Sequence, residues 1–203
     1  MAADLGAALG RIHQIDAAGI PPTPARWEDE TWTADIEELP AVAHLVEAVL
    51  PPALLHAARP YLAGEVPAPN QRRARRLAHN DLCADHVLVD PATGRLAGII
   101  DFADAMVGDP VLDFVGLLTV GDRPFVAQVL RHYPLPAADD FQVTFDWLAR
   151  VLTLRWLADA VVDNPGRVEA QRGSVERAFD RAAITATDDA FPMGDHRHGG
   201  GTQ

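Results

Sequence analysis

The sequence contains no lysine: all 17 of its basic residues are arginines, and 29 aspartates and glutamates outnumber them. The net charge of −12 at pH 7 argues against nucleic-acid binding, which needs a basic surface to displace phosphate counterions. The same charge disfavours binding to an anionic membrane surface. It is compatible with a cationic substrate, which an acidic surface attracts.

Cysteine is nearly absent, since Cys83 is the only one. An intrachain disulfide is therefore excluded, and so is a zinc site based on cysteines. The sequence also lacks an apolar run of membrane-spanning length and an N-terminal signal peptide. We therefore expect a cytoplasmic protein that binds neither membrane nor nucleic acid.

Hydrophobic periodicity predicts a mostly helical chain. The first helix is predicted where apolar residues recur at helical spacing, at Leu5, Leu9, Ile12 and Ile15. The acidic stretch from Arg26 to Glu38 is typical of a loop, and the pattern from Leu39 to Leu62 indicates two helices separated at Pro51-Pro52. Four further helices are predicted over residues 111–120, 124–132, 141–162 and 168–183.

One clear β signal lies in the middle of the chain. Two short apolar runs, 86–89 and 96–100, flank the segment Asp90-Pro91-Ala92-Thr93-Gly94. Pro91 presets φ for a turn, and Gly94 can adopt the left-handed conformation that closes it. We therefore predict a β-hairpin.

The predicted hairpin brings potential metal ligands together. Its turn pairs His86 with Ile99, or with the next residue if one strand carries a bulge. In either register Asp101 emerges beside His86, within reach of Asp81 or Asp85, because facing strands lie about 5 Å apart. Carboxylates and an imidazole at one end of a hairpin could hold a divalent cation bound to phosphate oxygens.

Several motifs surround the hairpin, and together they carry a family resemblance. His79-Asn80-Asp81-Leu82 lies before the hairpin, Ile99-Ile100-Asp101-Phe102 ends it, and Gly108-Asp109-Pro110 and Asp113-Phe114 follow it. This order is similar to the catalytic and metal loops of kinases. The sequence most resembles the aminoglycoside phosphotransferase family. His86, where most kinases have Asn, resembles the aminoglycoside 2''-phosphotransferases and the macrolide phosphotransferases.

The resemblance implies a reaction and a role for each residue of the motifs. The reaction is transfer of the γ-phosphoryl group of ATP or GTP to a hydroxyl of a small molecule such as an aminoglycoside or a macrolide. By resemblance Asp81 is the catalytic base, and His86 and Asp101 hold Mg²⁺. The residues that support these loops are then His79, Asp104, Asp109 and Asp113.

The resemblance also implies the fold. The run Leu9-Gly10-Arg11-Ile12-His13 resembles the first helix after the hinge between the two lobes of these kinases. We therefore expect an α+β fold, a mostly α-helical protein-kinase-like C-terminal lobe over residues 1–187. A central β-hairpin carries its catalytic and metal loops, and residues 188–203 are expected to form a disordered tail.

The N-terminal lobe of such kinases supplies a loop that covers the phosphates and a lysine that grips them. We expect that lobe to be absent here, because the chain starts at the post-hinge helix and offers no nucleotide-binding lysine. The chain is then a truncated form, which could pair with a separate N-lobe chain. The alternatives are an inactive pseudoenzyme or binding remnant, one half of a split kinase, and a metal-dependent hydrolase using His79, Asp81, His86 and Asp101.

A cationic acceptor would need acidic or flat aromatic contacts away from the phosphates. One group of candidates lies in the early acidic stretch and comprises Glu28, Asp29, Glu30 and Asp35. A second group lies on the predicted helix 141–162 or just after it and comprises Trp156, Asp159 and Asp163. The sequence does not distinguish one acceptor molecule from another.

Overall fold

The computed structural model describes residues 1–16, 30–69, 75–137, 139–181 and 184. Within these residues there are seven α-helices: α1 (Ala2–His13), α2 (Glu30–Glu47), α3 (Pro52–Leu62), α4 (Val111–Gly116), α5 (Arg123–Arg131), α6 (Phe141–Asp163) and α7 (Val168–Phe179). Four short strands complete them: β1 (Arg76–Ala78), β2 (Val87–Val89), β3 (Leu96–Ile99) and β4 (Met106–Gly108). The predicted α+β class, mostly helical with a central hairpin, is confirmed.

Helix α6 forms the centre of the core. Its buried residues include Phe145, Leu148, Leu154 and Leu157, and it packs against α2, α3, α4 and α7. A helix that is apolar on most of its circumference must be covered on most sides, which explains why the other helices surround it. None of the helices in the described part of the chain is both long and apolar enough to cross a bilayer.

The predicted hairpin is present and takes the bulged register. Strands β2 and β3 pair antiparallel, with Val87 opposite Ile99 and a shift in register between Leu88 and Val89. The backbone N–H of Ile100 donates to the carbonyl of His86 at 3.0 Å. The extra residue therefore moves the partner of His86 from position 99 to position 100, directly before Asp101.

A second antiparallel pair was not predicted as such. Strands β1 and β4 pair with Arg76 opposite Gly108 and Ala78 opposite Met106. Three residues are too few for an alternating pattern to be recognised in the sequence. The pairing brings the segment that begins at His79 close to the start of α4.

Two helix boundaries correct the sequence prediction. The predicted loop from Arg26 to Glu38 is wrong from residue 30 onward, because α2 begins at Glu30 and continues past Pro40. None of the acidic residues of this stretch breaks a helix, and α2 buries Leu39 in the core. The last helix was predicted to reach residue 183, but α7 ends at Phe179, since Asp180 has an extended backbone.

Gly116 permits a close contact between α4 and the loop that follows β1. A Cβ atom on Gly116 would lie 2.0 Å from the carbonyl oxygen of Leu82. Leu82 is buried, so the loop cannot retreat toward solvent without losing core packing. The absence of a side chain at position 116 therefore fixes the position of the loop on the core.

We predict that Gly116→Ala lowers the free energy of unfolding by about 1–3 kcal/mol, the usual cost of overpacking a core. The change is measured by urea denaturation followed by circular dichroism. Gly98→Ala is the matched control, because a Cβ atom there meets nothing within 4 Å. Equal stability of the two variants would contradict the close contact.

Candidate active site

A buried carboxylate anchors the loop that carries Asp81. Asp113, on α4, is completely buried. Its Oδ2 accepts a hydrogen bond from the backbone N–H of His79 at 2.9 Å, and its Oδ1 accepts one from that of Asn80 at 2.8 Å. The loop is thus held by its backbone, one residue before Asp81.

Helix α1 contributes a third hydrogen bond to the same carboxylate. His13 Nε2 lies 2.9 Å from Asp113 Oδ2, and His13 Nδ1 lies 2.7 Å from the hydroxyl of Tyr133. An ionised carboxylate can only accept, so Nε2 carries the hydrogen and Nδ1 accepts from Tyr133. Burial raises the pKa of Tyr133 to about 12, so its hydroxyl keeps the donated proton at neutral pH.

Two residues of the site have left-handed backbones although neither is glycine. Asn80 has φ of 67° and Asp101 has φ of 63°. Such conformations cost free energy and persist only where neighbouring contacts enforce them. Asp113 holds the N–H of Asn80, and His79 Nε2 donates to the carbonyl of Ile100, directly before Asp101, at 2.8 Å.

The imidazole of His86 lies between the two carboxylates that flank the hairpin. His86 Nδ1 is 3.5 Å from Asp81 Oδ2, and His86 Nε2 is 3.6 Å from Asp101 Oδ2. His86 Nδ1 is also 2.7 Å from the backbone carbonyl of Asp81. Because a carbonyl only accepts, Nδ1 donates to it, and in the neutral ring the lone pair of Nε2 then faces Asp101.

The carboxyl group of Asp81 is more basic than usual. Partial burial is the main cause that raises its pKa; the nearby imidazole of His86 lowers it in part, and the negative charge of Asp104 raises it again. Asp104 therefore acts on Asp81 through its charge. Asp109 accepts a hydrogen bond from the N–H of Val111 at 2.9 Å and so holds the turn that leads into α4.

His86 and Asp101 are spaced to share one metal ion. Two atoms that each lie about 2.1 Å from an ion are at most about 4.2 Å apart, and Nε2 and Oδ2 are 3.6 Å apart. A histidine that binds a metal usually donates its other N–H to a carbonyl, as His86 does to Asp81. The residues present therefore fit a Mg²⁺ ion that keeps further oxygen ligands from water or phosphate.

A cavity of about 420 Å³ opens beside Asp81. Three of the predicted substrate contacts line it, namely Trp156, Asp159 and Asp163. Asp159 is paired with Arg155, whose Nε lies 3.0 Å from its Oδ1, and Arg155 also pairs with Glu38. Within the described residues, no cation pairs with Asp163.

The other predicted substrate contacts are not located. Glu28 and Asp29 lie outside the described residues. Of Glu30 and Asp35 only the helical backbone of α2 is described. Asp85, which the hairpin geometry left as an alternative to Asp81, instead forms an ion pair with Arg167.

Sequence reasoning did not identify His13 and Tyr133 as part of the site. They lie 100 and 20 residues from Asp113 along the chain, and neither belongs to a motif that contains Asp113. The sequence marks His13 only as the last residue of the motif Leu9-Gly10-Arg11-Ile12-His13, with no link to Asp113. No local spacing signals a contact between elements so far apart.

The fold is similar to that of kinase-like phosphotransferases. Residues 1–150 match the phosphotransferase enzyme family (APH), and the chain therefore belongs to that family. A relative from Bacillus subtilis (strain 168), the uncharacterized protein YcbJ, is 39% identical over 57 residues, which are 28% of this chain and 18% of that protein.

Two solved structures share the fold. The GDP and kanamycin complex of APH(2")-IIia superposes with a TM-score of 0.55 at 21% identity, over 87% of this chain and 61% of that one. The streptomycin–ATP–APH(2")-IIa ternary complex superposes with a TM-score of 0.52 at 23% identity, over 86% and 61%. These identities establish the fold alone and confirm the predicted kinase-like architecture. The match spans less than two thirds of either solved chain.

We predict that Asp113→Asn destabilises the protein by about 3 kcal/mol. An amide replaces a buried charged acceptor of hydrogen bonds from two backbone N–H groups and an imidazole, and it turns one acceptor into a donor. Urea denaturation measures the loss. Asp104→Asn is the control, because Asp104 is exposed, and it should change stability by less than about 0.5 kcal/mol. Equal effects of the two substitutions would contradict the anchoring role of Asp113.

Proposed function

We propose that this chain is the catalytic lobe of a kinase that transfers the γ-phosphoryl group of ATP or GTP to a hydroxyl of a small molecule. The observation that carries the proposal is the cluster of Asp81, His86 and Asp101, of which Asp81 lines a cavity of about 420 Å³. Membership of the phosphotransferase family supports it.

Asp81 is the proposed catalytic base. Its carboxylate lines the cavity, so an acceptor hydroxyl bound there would donate its hydrogen bond to Asp81 and point its oxygen at the phosphate. The raised pKa makes Asp81 a better proton acceptor than an ordinary aspartate. Phosphoryl transfer needs little covalent help, so orientation of the hydroxyl is the main contribution of this residue.

His86 and Asp101 are the proposed ligands of Mg²⁺. When bound, Mg²⁺ would neutralise negative charge on the transferring phosphates. His79 supports both loops in this proposal, because its N–H is held by Asp113 and its Nε2 donates to the carbonyl before Asp101. Asp104 and Asp109 act more remotely, the first through its charge and the second by holding the turn that leads into α4.

The nucleotide is proposed to bind against the outer face of the hairpin with help from a second lobe. Leu88 and Ile100 are 43% and 44% exposed there, which is unusual for large apolar side chains and indicates a surface that a partner covers. The match covers 61% of the solved kinase chains. We propose that a lobe outside these residues supplies the remaining phosphate contacts, as part of a longer protein or as a separate chain.

The acceptor is proposed to carry positive charge. The cavity beside Asp81 is lined by the carboxylates of Asp159 and Asp163 and by the flat ring of Trp156. A protonated amine would pair with a carboxylate, and a sugar ring would pack on the indole. The similar solved proteins are complexes with kanamycin and with streptomycin, which makes aminoglycosides the first acceptors to test.

We predict that the protein, assayed together with the second lobe proposed above, releases nucleoside diphosphate from ATP or GTP when Mg²⁺ and a suitable acceptor are present. A panel of aminoglycosides and macrolides is assayed by coupled detection of the diphosphate. Asp81→Asn should lower kcat by about 10²- to 10⁴-fold, the usual contribution of a general base, with an unchanged circular-dichroism spectrum.

Asp85→Asn is the matched control for this experiment, because Asp85 lies in the same loop but pairs with Arg167. Full turnover by Asp81→Asn would contradict the assignment of the base. Mg²⁺-dependent nucleotide binding without transfer to any acceptor would favour an inactive pseudoenzyme. Hydrolysis without nucleotide would favour a metal-dependent hydrolase.

We predict that Asp163→Asn raises the KM of a cationic acceptor about tenfold and leaves kcat within about twofold. The variant loses one charge-assisted hydrogen bond, which contributes about 1.5 kcal/mol. Glu47→Gln removes the same charge far from the cavity, where Glu47 lies 4.0 Å from Arg59, and controls for net charge. An equal change in both variants would contradict a direct contact between Asp163 and the acceptor.

A further inference from the structure

The thiol of Cys83 has no part in the proposed transfer, yet it lies against the proposed metal ligand His86. Cys83 Sγ is 3.5 Å from His86 Nδ1. Asp81 Oδ2 is 3.5 Å from the same nitrogen. One ligand atom from each of Asp81, Cys83 and His86 lies within 4.8 Å of the other two.

Two of the three separations among these atoms match those of a tetrahedral zinc site. With zinc bonds of about 2.3 Å to sulfur and about 2.1 Å to nitrogen and oxygen, neighbouring ligand atoms lie about 3.6 Å (S to N) and 3.4 Å (N to O) apart. The observed separations are 3.5 Å for both pairs. Zinc could therefore bind once the His86 ring turns its Nδ1 away from the carbonyl of Asp81, and a water molecule could complete the tetrahedron.

The types of ligand atom determine which metal ion each group of residues prefers. Magnesium prefers oxygen ligands and binds thiolates poorly, whereas sulfur, imidazole nitrogen and carboxylate together suit zinc. The two ring nitrogens of His86 thus lie beside different sets of potential ligands. Its Nε2 faces the carboxylate of Asp101, and its Nδ1 faces the thiol of Cys83 and the carboxylate of Asp81.

We propose that Cys83, His86 and Asp81 form a zinc site, and that zinc bound there inhibits the protein. The inhibitory part rests on the proposed kinase function, whereas the site itself does not. Zinc on Nδ1 leaves the only imidazole hydrogen on Nε2, so His86 can no longer bind Mg²⁺ beside Asp101. Zinc also binds the carboxylate of Asp81, which would otherwise accept the hydrogen bond of the acceptor hydroxyl.

Zinc binding releases one proton to solvent and changes the tautomer of His86. The thiol of Cys83 loses its proton to solvent as the Zn–S bond forms, and no electron is transferred. The hydrogen on His86 Nδ1, which now bonds to the carbonyl of Asp81, leaves that nitrogen while Nε2 takes one up. The cost of this step is one hydrogen bond and the deprotonation of a thiol whose pKa burial raises.

One cysteine cannot form a zinc site made of cysteines, and that exclusion stands. A mixed site needs only one thiolate, and its other two ligands come from the same loop once Ala84–His86 forms a 3₁₀ turn. The turn folds position 86 back onto positions 81 and 83.

The site is tested with Co²⁺, which replaces zinc and absorbs light when a thiolate binds it. Cys83 is the only cysteine in the chain, so a thiolate-to-cobalt charge-transfer band reports this site alone, whatever the other histidines bind. We expect the purified protein to show the band together with the visible bands of a tetrahedral ion, and Zn²⁺ to abolish both by displacement.

Variants then assign the ligands. Cys83→Ser should abolish the band and weaken Zn²⁺ binding by more than about 100-fold, measured by competition with a chromogenic chelator. Even the loss of a residue that only hydrogen-bonds to a metal ligand costs about 10- to 100-fold in affinity. Asp101→Asn should keep the band and hold Zn²⁺ affinity within about threefold, because Asp101 faces the other nitrogen. Thermal melts verify that both variants fold.

The absence of a thiolate band in the folded wild-type protein would overturn the proposed site. So would a Zn²⁺ affinity that Asp101→Asn destroys and Cys83→Ser leaves intact, which would put zinc on the magnesium ligands. These optical results do not depend on turnover, so they stand even if the kinase function fails. In a working enzyme, inhibition by Zn²⁺ that is equal in the wild type and in Cys83→Ser would overturn the inhibitory role.

Discussion

The geometry of the site depends on the buried carboxylate of Asp113. A fully buried charge is tolerated only if its hydrogen-bonding capacity is satisfied, and here the donors are two successive backbone N–H groups and the imidazole of His13. Helix α1, helix α4 and the loop are therefore joined at one carboxylate. Their junction enforces the left-handed backbone of Asn80, the residue directly before Asp81.

The bulge in the hairpin determines what His86 can bind. Without it His86 would face Ile99, and Asp101 would lie one residue further along the strand. With it the partner is Ile100, so Asp101 follows immediately and its carboxylate lies 3.6 Å from Nε2. The opposite nitrogen faces the loop, where a carbonyl, a carboxylate and a thiol compete for it. One imidazole thus faces a carboxylate with one nitrogen and a carbonyl, a carboxylate and a thiol with the other.

Local patterns predicted the parts of the fold that local physics controls. The turn at Asp90–Gly94, the central helix and the proximity of His86 and Asp101 followed from turn chemistry and periodicity. The start of α2 could not be predicted, because its acidic first turns lack a packing pattern and its partner α6 lies more than 100 residues later. For the same reason no spacing signalled that His13 and Tyr133 meet at Asp113, or that Arg155 joins Glu38 to Asp159.

The two loops of the site are coupled through His79. Its backbone N–H donates to Asp113, and its Nε2 donates to the carbonyl of Ile100. His79 itself precedes the left-handed residue Asn80, and Ile100 precedes the left-handed residue Asp101. A shift of the loop that carries Asp81 would pull on the loop that carries Asp101. Residues that share such a network do not act additively when they are substituted. The position of Asp81, the proposed base, is therefore coupled to the position of Asp101, the proposed metal ligand.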